Sequence, residues 1–223
     1  MKKIITLIAV SVLGAATLLA QPGRGPFGNG RDYGRGHERH PHGHYNNLYG
    51  GIKAGLIFSH ISSGTGDIDA IGVKTGTSLG LAAGFNISPM AAFESGLYYV
   101  EKGGIGRVSG GKVIYDLHYL ELPLLLKVNV FSGRQAIFQP YAGAYLGMGV
   151  GGQIKDYRLE TSASSFNDAN FRRGDSGLAI GCGVTWSILH ANLGYEYGLS
   201  DISKRGFGDN RNRALILSVG IAF

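Results

Sequence analysis

The sequence is short of charged residues, of cysteine and, beyond its first twenty residues, of long apolar runs. Only 16% of the residues are charged, whereas soluble domains carry about 25%. A membrane-spanning helix needs about 20 consecutive apolar residues, and no such run follows Ala20. The single cysteine, Cys182, excludes an intramolecular disulfide. These deficits argue against an ordinary soluble domain, a helical membrane protein and a disulfide-stapled fold.

Glycine and tyrosine are abundant instead, with 38 Gly and 12 Tyr among 223 residues, and 44% of the chain is hydrophobic. Low charge combined with dispersed apolar residues is typical of a transmembrane β-barrel, in which apolar side chains occupy alternate positions. The composition therefore favours a barrel before any segment is assigned.

The net charge of +6 is concentrated near the N-terminus. Lys2 and Lys3 supply two of these charges. The segment 21–47 adds two more, because its four arginines outnumber Asp32 and Glu38. The remainder is close to neutral, so we predict no nucleic-acid partner.

The first twenty residues have the pattern of a secretory signal. Two lysines precede an apolar stretch from Ile4 to Leu19, and the apolar character ends at Ala20. We expect a signal peptide over 1–20, cleaved after Ala20. An uncleaved N-terminal membrane helix is the alternative, but its length is marginal for a span.

The segment 21–47 is rich in Gly, Arg and His and lacks bulky aliphatic residues. It cannot bury enough apolar surface to offset its ordering entropy, so we predict a disordered periplasmic tail. Within it, His37, His40, His42 and His44 form a tract that could hold a transition metal loosely. No cysteine or well-placed carboxylate completes a site, so we assign no metal ligand and no cofactor.

From Tyr49 onward, apolar residues recur with a period of two, which predicts β-strands. In the clearest segment, Leu120, Leu122 and Leu124 share one face while Tyr119 and Glu121 share the other. Eight segments follow this pattern: 51–61, 78–87, 92–102, 115–130, 138–150, 175–187, 191–199 and 213–223. The facing of the fifth segment, a Gly/Ala/Tyr stripe, is ambiguous.

The face opposite the apolar one is mostly Gly, Ala and Ser, which suits the narrow interior of an eight-stranded barrel. Each segment has about the 9–11 residues that a tilted membrane strand needs. Short connections alternate with long ones, the long ones being 62–75, 103–113, 151–173 and 200–211. We predict an all-β, eight-stranded antiparallel transmembrane up-and-down β-barrel over 48–223. It should lie in outer-membrane lipid with both termini periplasmic.

Five charged residues fall on the predicted lumen face: Lys53, Glu94, Glu121, Lys127 and Glu196. Buried charges must pair or be hydrated, so we predict a structural network that pins the interior. The alternative is that these groups conduct small ions or protons.

Three stretches carry a family resemblance. Residues 119–127 (YLELPLLLK) resemble the hallmark fourth strand of the outer-membrane β-barrel family widespread in the Bacteroidota, described as porin-family or PorT-like. Residues 172–178 are similar to that family's sixth-strand entry, although an aromatic often stands where this chain has Gly174 or Ser176. Residues 212–223 resemble its closing strand. The resemblance implies that Phe223 is recognised by the barrel-assembly machinery and that the protein serves a secretion or envelope assembly.

The function that these features favour is non-enzymatic: a structural or adhesion anchor with a protein partner in the envelope. A narrow channel is one alternative. A lipid-modifying enzyme is the other, since His60 and His118 lie near the outer ends of their strands. Such an enzyme needs a Ser and an acid matched to the His, and neither is visible, so we assign no catalytic residue.

Overall fold

The structure is a computed structural model that describes residues 48–63, 72–108, 111–132, 136–157, 161–166, 171–202 and 210–222. The predicted signal peptide (1–20), the predicted tail (21–47) and Phe223 lie outside the described residues. Within the described part of the chain, no helix is long and apolar enough to span a membrane.

The described residues form eleven β-strands. Their bounds are β1 (Leu48–Ser63), β2 (Lys74–Ser88), β3 (Ala91–Val108), β4 (Gly111–Val128), β5 (Val130–Ser132), β6 (Ala136–Gly151), β7 (Gln153–Asp156), β8 (Thr161–Ser164), β9 (Gly174–Trp186), β10 (Leu189–Gly198) and β11 (Asn210–Ala222).

Eight of these strands close into a ring in which every neighbour is antiparallel. The order is β1-β2-β3-β4-β6-β9-β10-β11, and β11 returns to β1 with Gly51 opposite Ala222 and Ile61 opposite Asn212. The predicted eight-stranded antiparallel barrel is therefore confirmed. Closure leaves no open edge in the ring, which a bilayer requires because lipid offers no hydrogen-bond partner.

Side chains alternate between lipid and lumen along each barrel strand. On β4, Leu126 is 53% exposed on the outer surface, while its neighbours Leu125 and Lys127 are buried inside. The structure also resolves the ambiguous fifth segment, now β6: Tyr141 and Tyr145 point inward and are buried. The outer surface of the barrel is thus a continuous apolar belt.

Two predictions about lengths were wrong. The longest strands have 18 residues rather than 9–11, and the described part of the predicted loop 103–113 is strand, since β3 continues to Val108 and β4 starts at Gly111. The predicted loop 151–173 likewise contains β7 and β8. The β3–β4 hairpin continues because Ile105 and Ile114 are direct cross-strand partners, and such β-branched pairs stabilise a sheet beyond the ring.

We call the outer part of this sheet the extension. It consists of residues 104–108 of β3, residues 111–115 of β4, and the short strands β7 and β8. β7 pairs with β4 between Val113 and Tyr115, and β8 pairs with β7. Gly103 and Gly152 stand where the extension leaves the ring, with φ of 141° and 136°. A side chain at either glycine would collide with the backbone of β4, so both positions require glycine.

The two ends of the barrel differ. One end carries Leu48, Ala222 and tight turns such as Ser187–Ile188; this is the turn end. The opposite end carries the extension and the long connections; this is the loop end.

Candidate functional site

The candidate site is the barrel lumen, where charged side chains gather in two groups. The first, called the turn-side cluster, is centred on Glu94, which lies 2.6 Å from the ammonium of Lys53 and 2.6 Å from that of Lys127. The Tyr49 hydroxyl also donates to this carboxylate, at 3.2 Å. One carboxylate thereby bridges two buried ammonium groups.

The second group, called the loop-side cluster, is centred on Lys102, which has no exposed surface. Its ammonium lies 2.5 Å from Glu121 and 2.6 Å from Glu196. It also stands 4.3 Å from the centre of the Tyr145 ring, a cation–π contact. The arrangement is the converse of the turn-side cluster, with one cation bridging two carboxylates.

A hydrogen-bonded node adjoins the loop-side cluster. Asn212 donates to the Asp175 carboxylate at 2.8 Å and to the Tyr119 hydroxyl at 3.3 Å. Ser200 and Tyr145 also donate to Asp175, at 3.2 and 3.4 Å. Asp175 is thus a buried carboxylate held by neutral donors rather than by a cation.

Glycines on the lumen face make room for the large side chains. The ring of Tyr98 lies against the space that a side chain at Gly80 or Gly96 would fill, and Tyr141 fills the space at Gly181. Because small and large residues complement each other across strands, the interior of this narrow barrel is filled rather than open.

Two further groups close the lumen at its ends. At the turn end, a hydrogen-bonded chain runs from Asn129 through Gln139 and Thr185 to His190, with distances of 2.8, 2.9 and 2.9 Å. At the loop end, apolar residues form the apolar plug: Ile57, Ile61, Val100, Leu117, Tyr119, Phe166, Phe171, Ile202 and Ala214.

The plug draws on connections as well as strands. Phe166 stacks edge-on against Tyr119 with ring centres 5.5 Å apart, and Phe171 does the same against Tyr115 at 5.8 Å. Backbone hydrogen bonds fix these aromatics, since Phe171 donates to Ser165 and Arg172 donates to Ile202. The connections therefore fold into the mouth of the barrel.

Between the two charge clusters lies a cavity of about 80 Å³, lined by both of them and by Tyr98, Tyr141 and Asn192. At roughly 30 Å³ for each water molecule, it has room for two or three waters.

The histidines at the rim have different partners. The Nδ1 atom of His118 is hydrogen-bonded to the Tyr99 hydroxyl, and its Nε2 atom lies 3.4 Å from the Asp116 carboxylate. Asp116 is shared with Lys74, whose ammonium is 2.8 Å away. His60 instead stands across the β1–β11 seam from Arg213. In the described part of the chain, no three His, Cys, Asp or Glu side chains are grouped to hold a metal ion.

The structure brings all five lumen charges from the sequence into the two clusters, with Lys53, Glu94 and Lys127 in one and Glu121 and Glu196 in the other. Their role in pinning the interior stays a prediction. Sequence reasoning missed Lys102 and Asp175. Both residues lie at inward positions if the alternation of their strands is continued, and that alternation could have identified them from the sequence.

A closed ring with an apolar exterior and a filled, polar interior defines a transmembrane β-barrel. Residues 37–204 match the family model described as outer membrane protein beta-barrel domain, which covers well over half of the chain. The chain belongs to this family, and it is an integral protein of the bacterial outer membrane.

Several solved structures are similar in fold. OprG from Pseudomonas aeruginosa is 16% identical, with 79% of this chain and 96% of that chain covered and a TM-score of 0.49. Neisserial surface protein A is 16% identical, with 79% and 97% covered and a TM-score of 0.46. Ail, the attachment invasion locus protein of Yersinia pestis, is 15% identical, with 79% and 99% covered and a TM-score of 0.44. No curated protein matches the sequence.

Proposed function

We propose that this protein is a non-conducting, non-enzymatic anchor that presents a rigid surface to a protein partner in the envelope. It would serve as a structural or adhesion protein, or as the accessory component of a secretion or envelope assembly that the PorT-like resemblance implies. The occluded lumen is the observation that carries the proposal.

Four groups of side chains follow one another along the axis of the lumen. The Gln139 chain and the turn-side cluster lie toward the turn end, the loop-side cluster follows, and the apolar plug covers the loop end. An ion entering this path would have to displace buried ion pairs and then cross an apolar layer that cannot hydrate it. This arrangement supports an anchor over a channel.

The extension supplies the surface for a partner. It continues the β3–β4 hairpin past the ring and is widened by β7 and β8, so its backbone is hydrogen-bonded rather than loose. Outer-membrane barrels place short turns in the periplasm and long connections outside the cell. On that pattern the extension is external and both termini are periplasmic.

Planar-bilayer recording of purified, heat-modifiable protein tests the proposal. We expect no steady current from the wild-type chain, because the lumen is blocked on both sides of its cavity. A matched variant, Phe166→Ala with Phe171→Ala, removes aromatic mass only from the plug and should stay silent, because the charge clusters still close the path. Steady current from the wild-type protein would overturn the anchor and establish the channel.

One observation favours a lipid-modifying enzyme as the second candidate. Tyr99, His118 and Asp116 form a hydroxyl–imidazole–carboxylate series on the outer rim. We rank it below the anchor because the hydroxyl is a phenol rather than a serine, and because Lys74 already neutralises the acid. Phospholipid turnover that disappears in His118→Ala, but persists in His60→Ala, would establish the enzyme instead.

A further inference from the structure

The extension is a sheet whose two faces differ. Its inner face continues the lumen face of the barrel and is covered, since Val113 is buried and the Tyr115 ring packs edge-on against Phe171. Its outer face continues the lipid-facing face of β4, because alternation from Leu120 places Lys112 on the same side. The outer face of the extension is therefore directed sideways, over the membrane surface beside the barrel.

The outer face carries a basic patch, which consists of Lys112 on β4, Lys155 on β7 and Tyr157, which follows β7. The Tyr157 N–H donates to the Lys112 carbonyl at 3.2 Å, so these two residues stand opposite each other. Side chains at opposite positions start about 5 Å apart, and diagonal neighbours such as Lys112 and Lys155 start about 7–8 Å apart. All three side chains are exposed, Tyr157 by 61%. Two ammonium groups thus flank one exposed phenol ring.

Among the described residues, no carboxylate offsets the two lysines of the basic patch. Asp156 on β7 lies opposite the buried Val113, so its side chain belongs to the inner face. Asp116 does lie on the outer face, but its carboxylate is held by Lys74 at 2.8 Å. Neither lysine of the patch forms a salt bridge within the described part of the chain. The patch is therefore a positive surface that an anion can approach.

The basic patch stands beyond the level of phospholipid headgroups. Tyr99, 40% exposed on the lipid face of β3, lies at the aromatic boundary of the apolar belt. Ile105, in the same row as Ile114 and Lys155, lies six residues further along β3. At about 3.3 Å per residue and a tilt of about 40°, this is about 15 Å along the membrane normal. Phospholipid headgroups extend only about 5–8 Å beyond the hydrocarbon, so an anion at the patch must rise above them.

We propose that the basic patch binds the phosphorylated oligosaccharide of a glycolipid that stands in the outer leaflet beside the barrel. The two lysines hold its phosphate groups as point charges, and the exposed Tyr157 ring packs against a sugar ring between them. The sugars of an outer-leaflet glycolipid rise above phospholipid headgroups. That position matches both the height of the patch and its sideways direction.

Two other occupants fit the basic patch less well. Lysine is depleted at protein–protein interfaces, which disfavours an acidic protein partner. A second copy of the chain would bring two pairs of lysines together, and like charges across an interface are costly. The inference rests on the external placement of the extension in the proposed function, but not on a closed lumen or a protein partner. Steady current through the barrel would therefore overturn the anchor and leave this site untouched.

Titration calorimetry of the full mature barrel in a non-ionic detergent tests the chemistry of the site. The probe is the core oligosaccharide of lipopolysaccharide, freed of its acyl chains, with and without its phosphates. Lys112→Gln with Lys155→Gln should weaken binding about tenfold, the scale of two exposed ion pairs. Tyr157→Ala should also weaken it, whereas Tyr157→Phe keeps the ring and should not. Arg172→Gln, which removes an exposed cation outside the patch, is the matched control and should leave binding unchanged.

Three results of this titration would overturn the assigned ligand. Undiminished binding after removal of the phosphates, or in the double lysine variant, would show that the lysines do not hold phosphate. Equally tight binding of polyglutamate would assign the patch to an acidic protein. Displacement by an equal concentration of inorganic phosphate would show that the sugar and Tyr157 contribute nothing. All variants should remain heat-modifiable, which separates loss of binding from loss of folding.

Lysine acetylation of the barrel in lipid vesicles, read by mass spectrometry, tests the source of the ligand. We expect Lys112 and Lys155 to be protected when lipopolysaccharide is added to phosphatidylcholine vesicles, but not when phosphatidylglycerol is added. Lys102, which is fully buried, should stay unlabelled in both and reports an intact barrel. Protection by phosphatidylglycerol would place the patch among phospholipid headgroups. Binding of the free oligosaccharide without protection by lipopolysaccharide would point to a soluble glycan, and either result would overturn the proposal.

Discussion

Lys102 is the residue on which the loop-side cluster depends. Its ammonium is the cation within 2.6 Å of both Glu121 and Glu196, and all three side chains are buried. A buried carboxylate that loses its partner is left uncompensated in a low-dielectric interior, and that costs far more than an exposed ion pair contributes.

Lys102→Met should therefore lower the free energy of unfolding by about 3–5 kcal/mol, the cost of leaving buried charges unpaired. Reversible urea unfolding in detergent or lipid vesicles measures this change. Lys155→Met, on the exposed part of β7, is the control and should change the free energy by less than about 0.5 kcal/mol.

Adding Glu121→Gln and Glu196→Gln to Lys102→Met should restore much of the lost stability, because neutral amides avoid the uncompensated charge. If the single variant cost less than about 1 kcal/mol, the cluster would not pin the interior, and its charges would serve another purpose.

For single residues, the sequence predicts which side chains face the lumen but not which ion pairs they form. Alternation places Glu94, Glu121 and Glu196 inside the barrel. On β3 the same alternation continues from Tyr98 through Val100 to Lys102, so it would have placed Lys102 inside as well. Which carboxylate each lysine reaches depends on the register of strands that are distant in sequence. No local pattern contains that information.

Among the elements, the extension is the part that the sequence described least well. Its glycines and polar residues look like a loop, yet the β3–β4 ladder runs unbroken from Gly103 to Val108 opposite 111–116. β7 is held by its pairing with β4 between Val113 and Tyr115 and by β8. The stability of β7 and β8 should thus depend on the hairpin.

Replacing 105–114 with a two-residue Asn-Gly turn should leave the barrel folded and heat-modifiable, because the ring is closed by other residues. The amides of β7 and β8 should lose most of their hydrogen-exchange protection, since their partner strand is gone. Hydrogen exchange followed by mass spectrometry measures both effects. Exchanging only 109–110 for Asn-Gly is the matched control and should leave β7 and β8 protected. Retained protection in the shortened variant would show that β7 and β8 are held elsewhere.

The facing of β6 was predicted as ambiguous because the strand as a whole is rich in Gly, Ala and Tyr. Its two faces nevertheless differ: the tyrosines and glycines lie on one face, and the other face carries Ala, Phe, Leu, Met and Val. In the structure, Tyr141 stands opposite Gly181 and Tyr145 opposite Gly177 on β9, which gives the aromatic rings space inside. The cross-strand pairs therefore agree with the strand's own alternation, and the ambiguity came from its overall composition.

For the whole molecule, the sequence was sufficient for the fold. Three patterns together specify a closed barrel. Alternating segments predict the strands, small inward residues predict a narrow interior, and alternating connection lengths predict the up-and-down strand order. The outward apolar run from Leu120 on β4 to Val130 at the start of β5 spans about 25 Å across the bilayer, from about 3.3 Å per residue and a tilt of about 40°. That matches the apolar band of outer-membrane barrels. The pairing of the side chains that fill the lumen required the three-dimensional structure.

Because the ring has no break, its natural ends should be dispensable. A circular permutant that joins residue 222 to residue 48 with a short glycine linker and opens the chain at 109–110 should fold to a heat-modifiable barrel. The matched control opens the chain at Leu124, inside a barrel strand, and should fail because it splits that strand. Gel shift on boiling and far-UV circular dichroism measure the outcome. A permutant opened at 109–110 that never folds would show that the natural order of strands is required.

Closure of the ring also sets the order in which the barrel can be made. Seven seams join strands that are consecutive among the eight ring strands, but the eighth brings Gly51 to Ala222, 171 positions apart. Until that last seam forms, two strand edges face hydrocarbon with their backbone groups unpaired, which is prohibitively costly. An emerging chain therefore has no stable half-built state in the bilayer. It must insert in one concerted event, or borrow a temporary strand from a helper that pairs with its edges and is then displaced by its own terminus.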